Sequence, residues 1–163
     1  MEELIEFLKE VSLGQALAVL GAGVATVISG FGSARGVNMV ARATAGLITE
    51  EPNKYGKSML LQALPMTQGI YGLVAAFMNL VSSGIMAGTG DQLSIAQGLY
   101  YLFAALPIAL GGYYSAVKQA EVAVAGISVL AKRPDAVGKA VISASFVELY
   151  AILALLISLL LIL

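Results

Sequence analysis

Four long stretches of this chain carry no charge or a single one: residues 11–34, 58–90, 92–117 and 140–163. Each reaches or exceeds the roughly 20 residues that a helix needs to cross the hydrocarbon of a bilayer. A segment in lipid must satisfy its own backbone hydrogen bonds, which leaves the helix and the closed barrel as solutions. The alternating short strands of a barrel are not visible here. The sequence therefore predicts an all-α membrane protein with four transmembrane helices. Composition agrees, since 12% of the 163 residues are charged, about half the share of a soluble domain.

The last run holds one charged residue, Glu148. An ionised carboxylate inside hydrocarbon costs at least a few kcal/mol, so a lone one marks an ion or proton site with partners on neighbouring helices. Cysteine, histidine and tryptophan are absent. That excludes a disulfide framework, a thiol nucleophile and a Cys/His metal cluster. A net charge of −1 argues against nucleic acid as a partner.

Residues 1–10 form an acidic segment, with Glu2, Glu3, Glu6 and Glu10 against Lys9. This is the wrong start for a secretory signal, and an amphipathic cap at the membrane surface is expected. Eight of the nine basic residues (Arg35, Arg42, Lys54, Lys57, Lys118, Lys132, Arg133 and Lys139) lie towards two short loops, 49–57 and 131–139. The positive-inside rule puts both loops in the cytoplasm and both termini outside. The connection 87–94, which has Asp91 and no base, then faces out.

The chain also repeats itself. At an offset of 82 residues, Gln15 meets Gln97, Gly30 meets Gly112, and Ser33-Ala34 meet Ser115-Ala116. Pro52 then meets Pro134, and Gly56-Lys57 meet Gly138-Lys139. Two tandem helical hairpins follow, residues 11–90 and 91–163, and they run in the same direction, unlike the inverted halves of many transporters. The first helix of each is lined with small residues: Gly21, Gly23, Gly30, Gly32 and Gly36, then Ala104, Ala105, Gly111 and Gly112. Small residues allow close helix approach in lipid. Glycines on several faces of the first helix predict crowding on more than one side, as in a self-assembled ring with these helices on its inner wall.

Depth in the membrane identifies the partners of the acid. Glu148 lies 14 residues after Pro134, and Gln119 lies 15 before it. Thr67 and Gln68 lie 15 and 16 residues after Pro52. At about 1.5 Å per residue these four sit within a few ångströms of one level. Singly, each has a plainer explanation, such as Thr67 bonding back to the Ala63 carbonyl or the glutamines joining helices. Pro65 removes a helix hydrogen bond and leaves carbonyls on the preceding turn short of donors. Tyr71, one turn beyond Thr67, is placed to donate its phenol proton to Glu148 and so favour the ionised form.

The segment Leu64-Pro65-Met66-Thr67-Gln68-Gly69-Ile70-Tyr71-Gly72, then Gln119, then Val147-Glu148-Leu149-Tyr150-Ala151-Ile152-Leu153, resembles the signature of the V-type ATPase proteolipid subunits. Within them it is most similar to the K subunits of bacterial sodium-translocating enzymes. The resemblance covers nearly the whole chain, with Met66 and Leu149 standing where relatives often carry Gly and Thr. It implies a rotor-ring subunit in a prokaryotic cell membrane. It also implies Na⁺ ligands at the Leu64 carbonyl, the Thr67 hydroxyl, the Gln68 and Gln119 side-chain oxygens and the Glu148 carboxylate, with Tyr71 steadying Glu148.

Five oxygens with one formal charge suit Na⁺, a hard cation that must replace its hydration shell. A proton needs one carboxyl in an apolar pocket, and H⁺ is expected as competitor. The expected partners are further copies of the chain, a stator membrane subunit with an essential Arg, a central-stalk subunit docking on the loops, and lipid. No GxxxxGK[ST] sequence is present to hold a nucleotide, so ATP hydrolysis belongs to other subunits. The alternatives are a proton-translocating V-type or A-type rotor subunit, a small proton-coupled multidrug exporter, and a structural proteolipid. An exporter would place its acid in the first helix of an aromatic-rich pocket, and a structural proteolipid would not need the polar groups at the depth of Glu148.

Overall fold

The computed structural model describes residues 12–90 and 93–163; the acidic segment 1–10 and Asp91 lie outside them. Five α-helices are present among the described residues: α1 (Leu13–Glu50), α2 (Tyr55–Ala63), α3 (Thr67–Ser82), α4 (Ile95–Lys132) and α5 (Val137–Ile162). Two short 3-10 turns, Pro52–Lys54 and Leu64–Met66, precede α2 and α3, so that Pro52–Ser82 forms one span. The molecule has four helical segments long and apolar enough to cross a membrane. It is a multi-pass membrane protein.

The repeat reaches down to the helix ends. The Ser12 hydroxyl accepts the Gln15 N–H at 3.2 Å to start α1. At the corresponding place Ser94 accepts from Gln97 at 3.3 Å and returns its own N–H to the Gln97 side chain at 2.9 Å, a reciprocal cap for α4. Both helices stop in the same way, with Glu51 N–H on the Leu47 carbonyl and Arg133 N–H on the Val129 carbonyl. Glu51 and Arg133 leave the helical region (φ −132° and −139°) because each precedes a proline, whose ring clashes with a helical neighbour.

α1 and α4 run beyond the uncharged stretches 11–34 and 92–117 and stop only at those prolines. Each has 38 residues, about 57 Å at the helical rise, against roughly 30 Å of hydrocarbon. Charge alone does not end a helix, so both continue past Arg35, Arg42, Lys118 and Glu121 until the proline stops them.

α1 packs along α4 through glycines. A β-carbon on Gly21 would lie 2.8 Å from the Leu102 Cα, and one on Gly32 would lie 2.5 Å from the Tyr113 Cα. Gly36 meets the Ala116 carbonyl oxygen at 2.9 Å, and Gly14 meets the carbonyls of Leu93 and Ser94. Gly23 and Gly30 look elsewhere, with no described atom within 4 Å of their β positions. The second span packs on α1, and α5 packs on α4, where Gly111 receives Ala154. Two apolar clusters result. Val40, Leu61, Ala123 and Leu130 lie towards the proline loops, and Ala22, Ala75, Ala105 and Ile108 towards the other end. Lys54 ties the loops together, donating to Glu51 and to the Ala131 carbonyl, each at 2.6 Å.

Candidate functional site

Between the two apolar clusters the second span breaks. Pro65 is buried in the 3-10 turn Leu64–Met66, and lacking an N–H it offers nothing to the carbonyl four residues before it. The break leaves the Leu64 carbonyl accepting from the backbone N–H of Thr67 and from its hydroxyl at 3.0 Å. The Thr67 hydroxyl thus returns to Leu64 and not to Ala63, because the tightened turn brings the nearer carbonyl under it.

α3 begins at this point and presents three side chains to the same level. Gln68 is fully buried, its oxygen 3.4 Å from the Thr67 hydroxyl and its amide nitrogen 2.6 Å from the Gln119 side-chain oxygen. Gln119, on α4, is also fully buried, and its amide donates to Glu148 Oε2 at 3.4 Å. One turn after Thr67, the Tyr71 hydroxyl donates to Glu148 Oε1 at 2.6 Å. Glu148 is half-buried on α5. A single hydrogen-bonded network therefore joins Leu64, Thr67, Gln68, Gln119, Glu148 and Tyr71, across three separate helical spans.

Its electrostatic character follows from its members. Among the described residues no three Asp, Glu, His or Cys gather in one place. The one formal charge, on Glu148, is held by two neutral donors, and hydrogen bonds to a charged group are worth about 1.5–3 kcal/mol. The amides of Gln68 and Gln119 each bring an oxygen as well as donors, and rotation about the last side-chain bond exchanges them. The site can thus present neutral oxygens to a hard cation while the carboxylate supplies the balancing charge.

Two serines, which spacing to the acid does not single out, complete the surroundings. The Ser115 hydroxyl accepts from the Gln68 amide at 3.3 Å and donates to the Val147 carbonyl at 2.9 Å, one residue before the acid. Its repeat counterpart, Ser33, accepts the Gly69 N–H at 2.7 Å and lies 3.4 Å from the Met66 carbonyl. Each clamps a neighbouring span to α1 or α4 at the level of the network. The signal available in the sequence is their coincidence at the 82-residue offset. The bases near this level lie aside from the network: Lys118 pairs with Glu121 at 2.9 Å, and Arg35 donates to the Tyr113 hydroxyl at 3.2 Å.

Comparison with known proteins bears on the whole chain. The sequence matches the family of ATP synthase C subunits twice, over residues 20–79 and 102–161, two segments separated by the same 82-residue offset. It is 47% identical over 150 residues to the V-type sodium ATPase subunit K of Enterococcus hirae, covering 92% of both chains. It is 35% identical over 145 residues to the A-type ATP synthase subunit K of Methanocaldococcus jannaschii, covering 89% of this chain and 61% of that one. Matched once in each hairpin and along most of its length, this chain belongs to the ATP synthase C-subunit family, as a tandem duplication of the family's hairpin.

Proposed function

We propose that this chain is the rotor-ring subunit of a V-type ATPase and that it carries Na⁺ through the membrane on Glu148. The observation that carries the reading is the network itself: one carboxylate, held by the Gln119 amide and the Tyr71 hydroxyl, at the end of a chain of hydrogen bonds through four groups that bear neutral oxygens, the side chains of Gln119, Gln68 and Thr67 and the Leu64 carbonyl. These four groups and Glu148 are the proposed ligands, and Tyr71 holds the acid in place. The sodium ATPase relative supports the choice of ion.

The mechanism follows from charge. A bare carboxylate is costly in hydrocarbon, whereas Glu148 with Na⁺ is neutral and can pass through lipid as the ring turns. Five oxygens stand in for the ion's lost water. The ion enters through an access path in a stator subunit, and a fixed stator Arg displaces it on the other side. ATP hydrolysis in other subunits drives rotation, transmitted by a central-stalk subunit docked on the loops around Pro52 and Pro134. The basic loops lie in the cytoplasm and both termini outside, in a prokaryotic cell membrane. One carboxylate per four helices lowers the number of ions per turn relative to one per hairpin, which favours pumping.

A hydrophobic carbodiimide tests the assignment, because it modifies a membrane carboxyl only in its protonated, ion-free form. Na⁺ should protect Glu148 at a pH where K⁺ does not, and Glu148→Gln should abolish labelling and Na⁺-coupled transport. Protection by raised pH alone would select the proton-carrying reading, and normal transport by Glu148→Gln would overturn both.

A further inference from the structure

The contact between the two hairpins of one chain contains the pattern for the contact between two chains. We propose that the exposed flank of α4 docks on the exposed flank of α1 in a second copy, with the residues that meet given by the 82-residue repeat. The inference rests on the ring reading above and adds which side chains form its seam.

Inside one chain, Gly21 faces Leu102, Gly32 faces Tyr113 and Gly36 lies between Ala116 and Ala120: a β-carbon on it would meet the Ala116 carbonyl oxygen at 2.9 Å and the Ala120 β-carbon at 3.3 Å. A ring of tandem repeats presents the same contact twice per chain, once within it and once at its edge. Shifting each partner by one repeat converts Gly21, Gly32 and Gly36 into Phe103, Tyr114 and Lys118. The same shift turns Leu102, Tyr113 and Ala120 into Leu20, Phe31 and Asn38 of the next copy. All six are exposed in the single chain, and Phe103, Tyr114 and Phe31 are among its most exposed apolar side chains, at 61–66%.

The chemistry of these pairs agrees with the shift. Leu20 opposes Phe103 and Phe31 opposes Tyr114, apolar on apolar. Of the two polar members, Lys118 falls between Ala34 and Asn38 of the next copy, as Gly36 falls between Ala116 and Ala120 within the chain. Asn38 makes no side-chain hydrogen bond among the described residues, and Lys118 bonds only to the exposed Glu121. The flanks are also unlike one another, as a head-to-tail contact requires. One carries an apolar groove lined by Gly23, Thr26, Leu73 and Phe77, the other a groove lined by Tyr114, Lys118, Val147 and Tyr150. Where the seam within a chain has glycine, the seam between copies has Phe103 and Tyr114. The inner helices therefore alternate between a narrow, backbone-to-backbone spacing and a wider one filled by side chains.

The chain has no cysteine, so introduced pairs report without background. Full-length Asn38→Cys/Lys118→Cys, oxidised in native membranes, should give a ladder of covalent oligomers on a denaturing gel, ending at the size of the closed ring. Phe31→Cys/Tyr114→Cys samples the same seam and keeps the test alive if loss of Lys118 prevents assembly. Asn38→Cys/Leu160→Cys, whose second member is exposed on α5 twelve residues beyond Glu148 and far from the level of Asn38, should stay monomeric. No ladder from either seam pair in a particle that still images as an intact oligomer overturns the proposed seam while leaving the ring. A control pair that crosslinks as well as the seam pairs overturns it too. A wild-type protein that purifies only as single chains removes the ring reading and this inference with it.

Discussion

Ser115 ties Gln68 to the backbone beside Glu148, a link that runs parallel to the one through Gln119. Its hydroxyl holds the Gln68 amide on one side and the carbonyl preceding Glu148 on the other. Ser115→Ala leaves a buried amide short of an acceptor, at about 1–3 kcal/mol, and frees the α5 backbone beside the acid. If Glu148 carries Na⁺, the Na⁺ concentration for half-protection against carbodiimide should rise about five- to tenfold, with Ser115→Thr recovering most of the loss. Tyr71→Phe removes the 2.6 Å hydrogen bond to Glu148 and keeps the ring's packing. A bond to a charged group is worth about 1.5–3 kcal/mol, so half-protection should move by tenfold or more. An unchanged protection curve in both variants would mean that neither group positions the acid.

At the scale of elements the decisive feature is the break at Pro65. Restoring a residue with an N–H there returns a donor to the Leu61 carbonyl, lets α2 and α3 merge into one regular helix, and exchanges the Leu64 carbonyl's tight bond to the Thr67 N–H for an α-helical one to the Gln68 N–H. Pro65→Ala keeps the β-carbon that packs at Gly36. It should leave thermal stability in detergent equal or higher, since an interior proline costs a helix about 3 kcal/mol, while weakening Na⁺ protection. Stability and binding moving in opposite directions is the expected outcome; a parallel loss of both would make Pro65 a packing residue only. The break, the shared depth of Thr67, Gln68, Gln119 and Glu148, and the proline loops are legible in the sequence because each depends on spacing along one chain. The true lengths of α1 and α4 are less so, because hydropathy reports where lipid ends and capping reports where a helix ends. Ser33 and Ser115 show in the sequence only as a coincidence at the 82-residue offset, and their role does not, as a serine in a membrane helix is ordinary until the helix facing it is known. Pro107 gives as little sign of its surroundings: it sits inside α4, and the N–H of Ile108 beside it is taken by the Ser158 hydroxyl of α5 at 3.1 Å.

Across the whole molecule, glycine decides which faces belong inside the chain. A glycine in a helix interior costs about 1 kcal/mol relative to alanine, so each must either permit an approach that a methyl would block or carry that cost for another reason. Gly32 is of the first kind: its β position is 2.5 Å from the Tyr113 backbone, where no side chain can rotate aside, so a substituent forces α1 and α4 apart. Gly46 has no described atom within 4 Å of its β position and lies on the stretch of α1 next to the proline loop. Gly32→Val should destabilise the folded chain by several kcal/mol, since overpacking alone costs about 1–3 kcal/mol and the neighbouring contacts of Gly21 and Gly36 loosen with it. Gly46→Ala should be neutral or stabilising by up to about 1 kcal/mol. Thermal unfolding of the two variants in detergent compares them directly. Equal melting temperatures would mean that the hairpins are not held together along α1 and α4, and the site that spans both hairpins would then need another means of keeping Gln119 and Glu148 beside Gln68 and Tyr71.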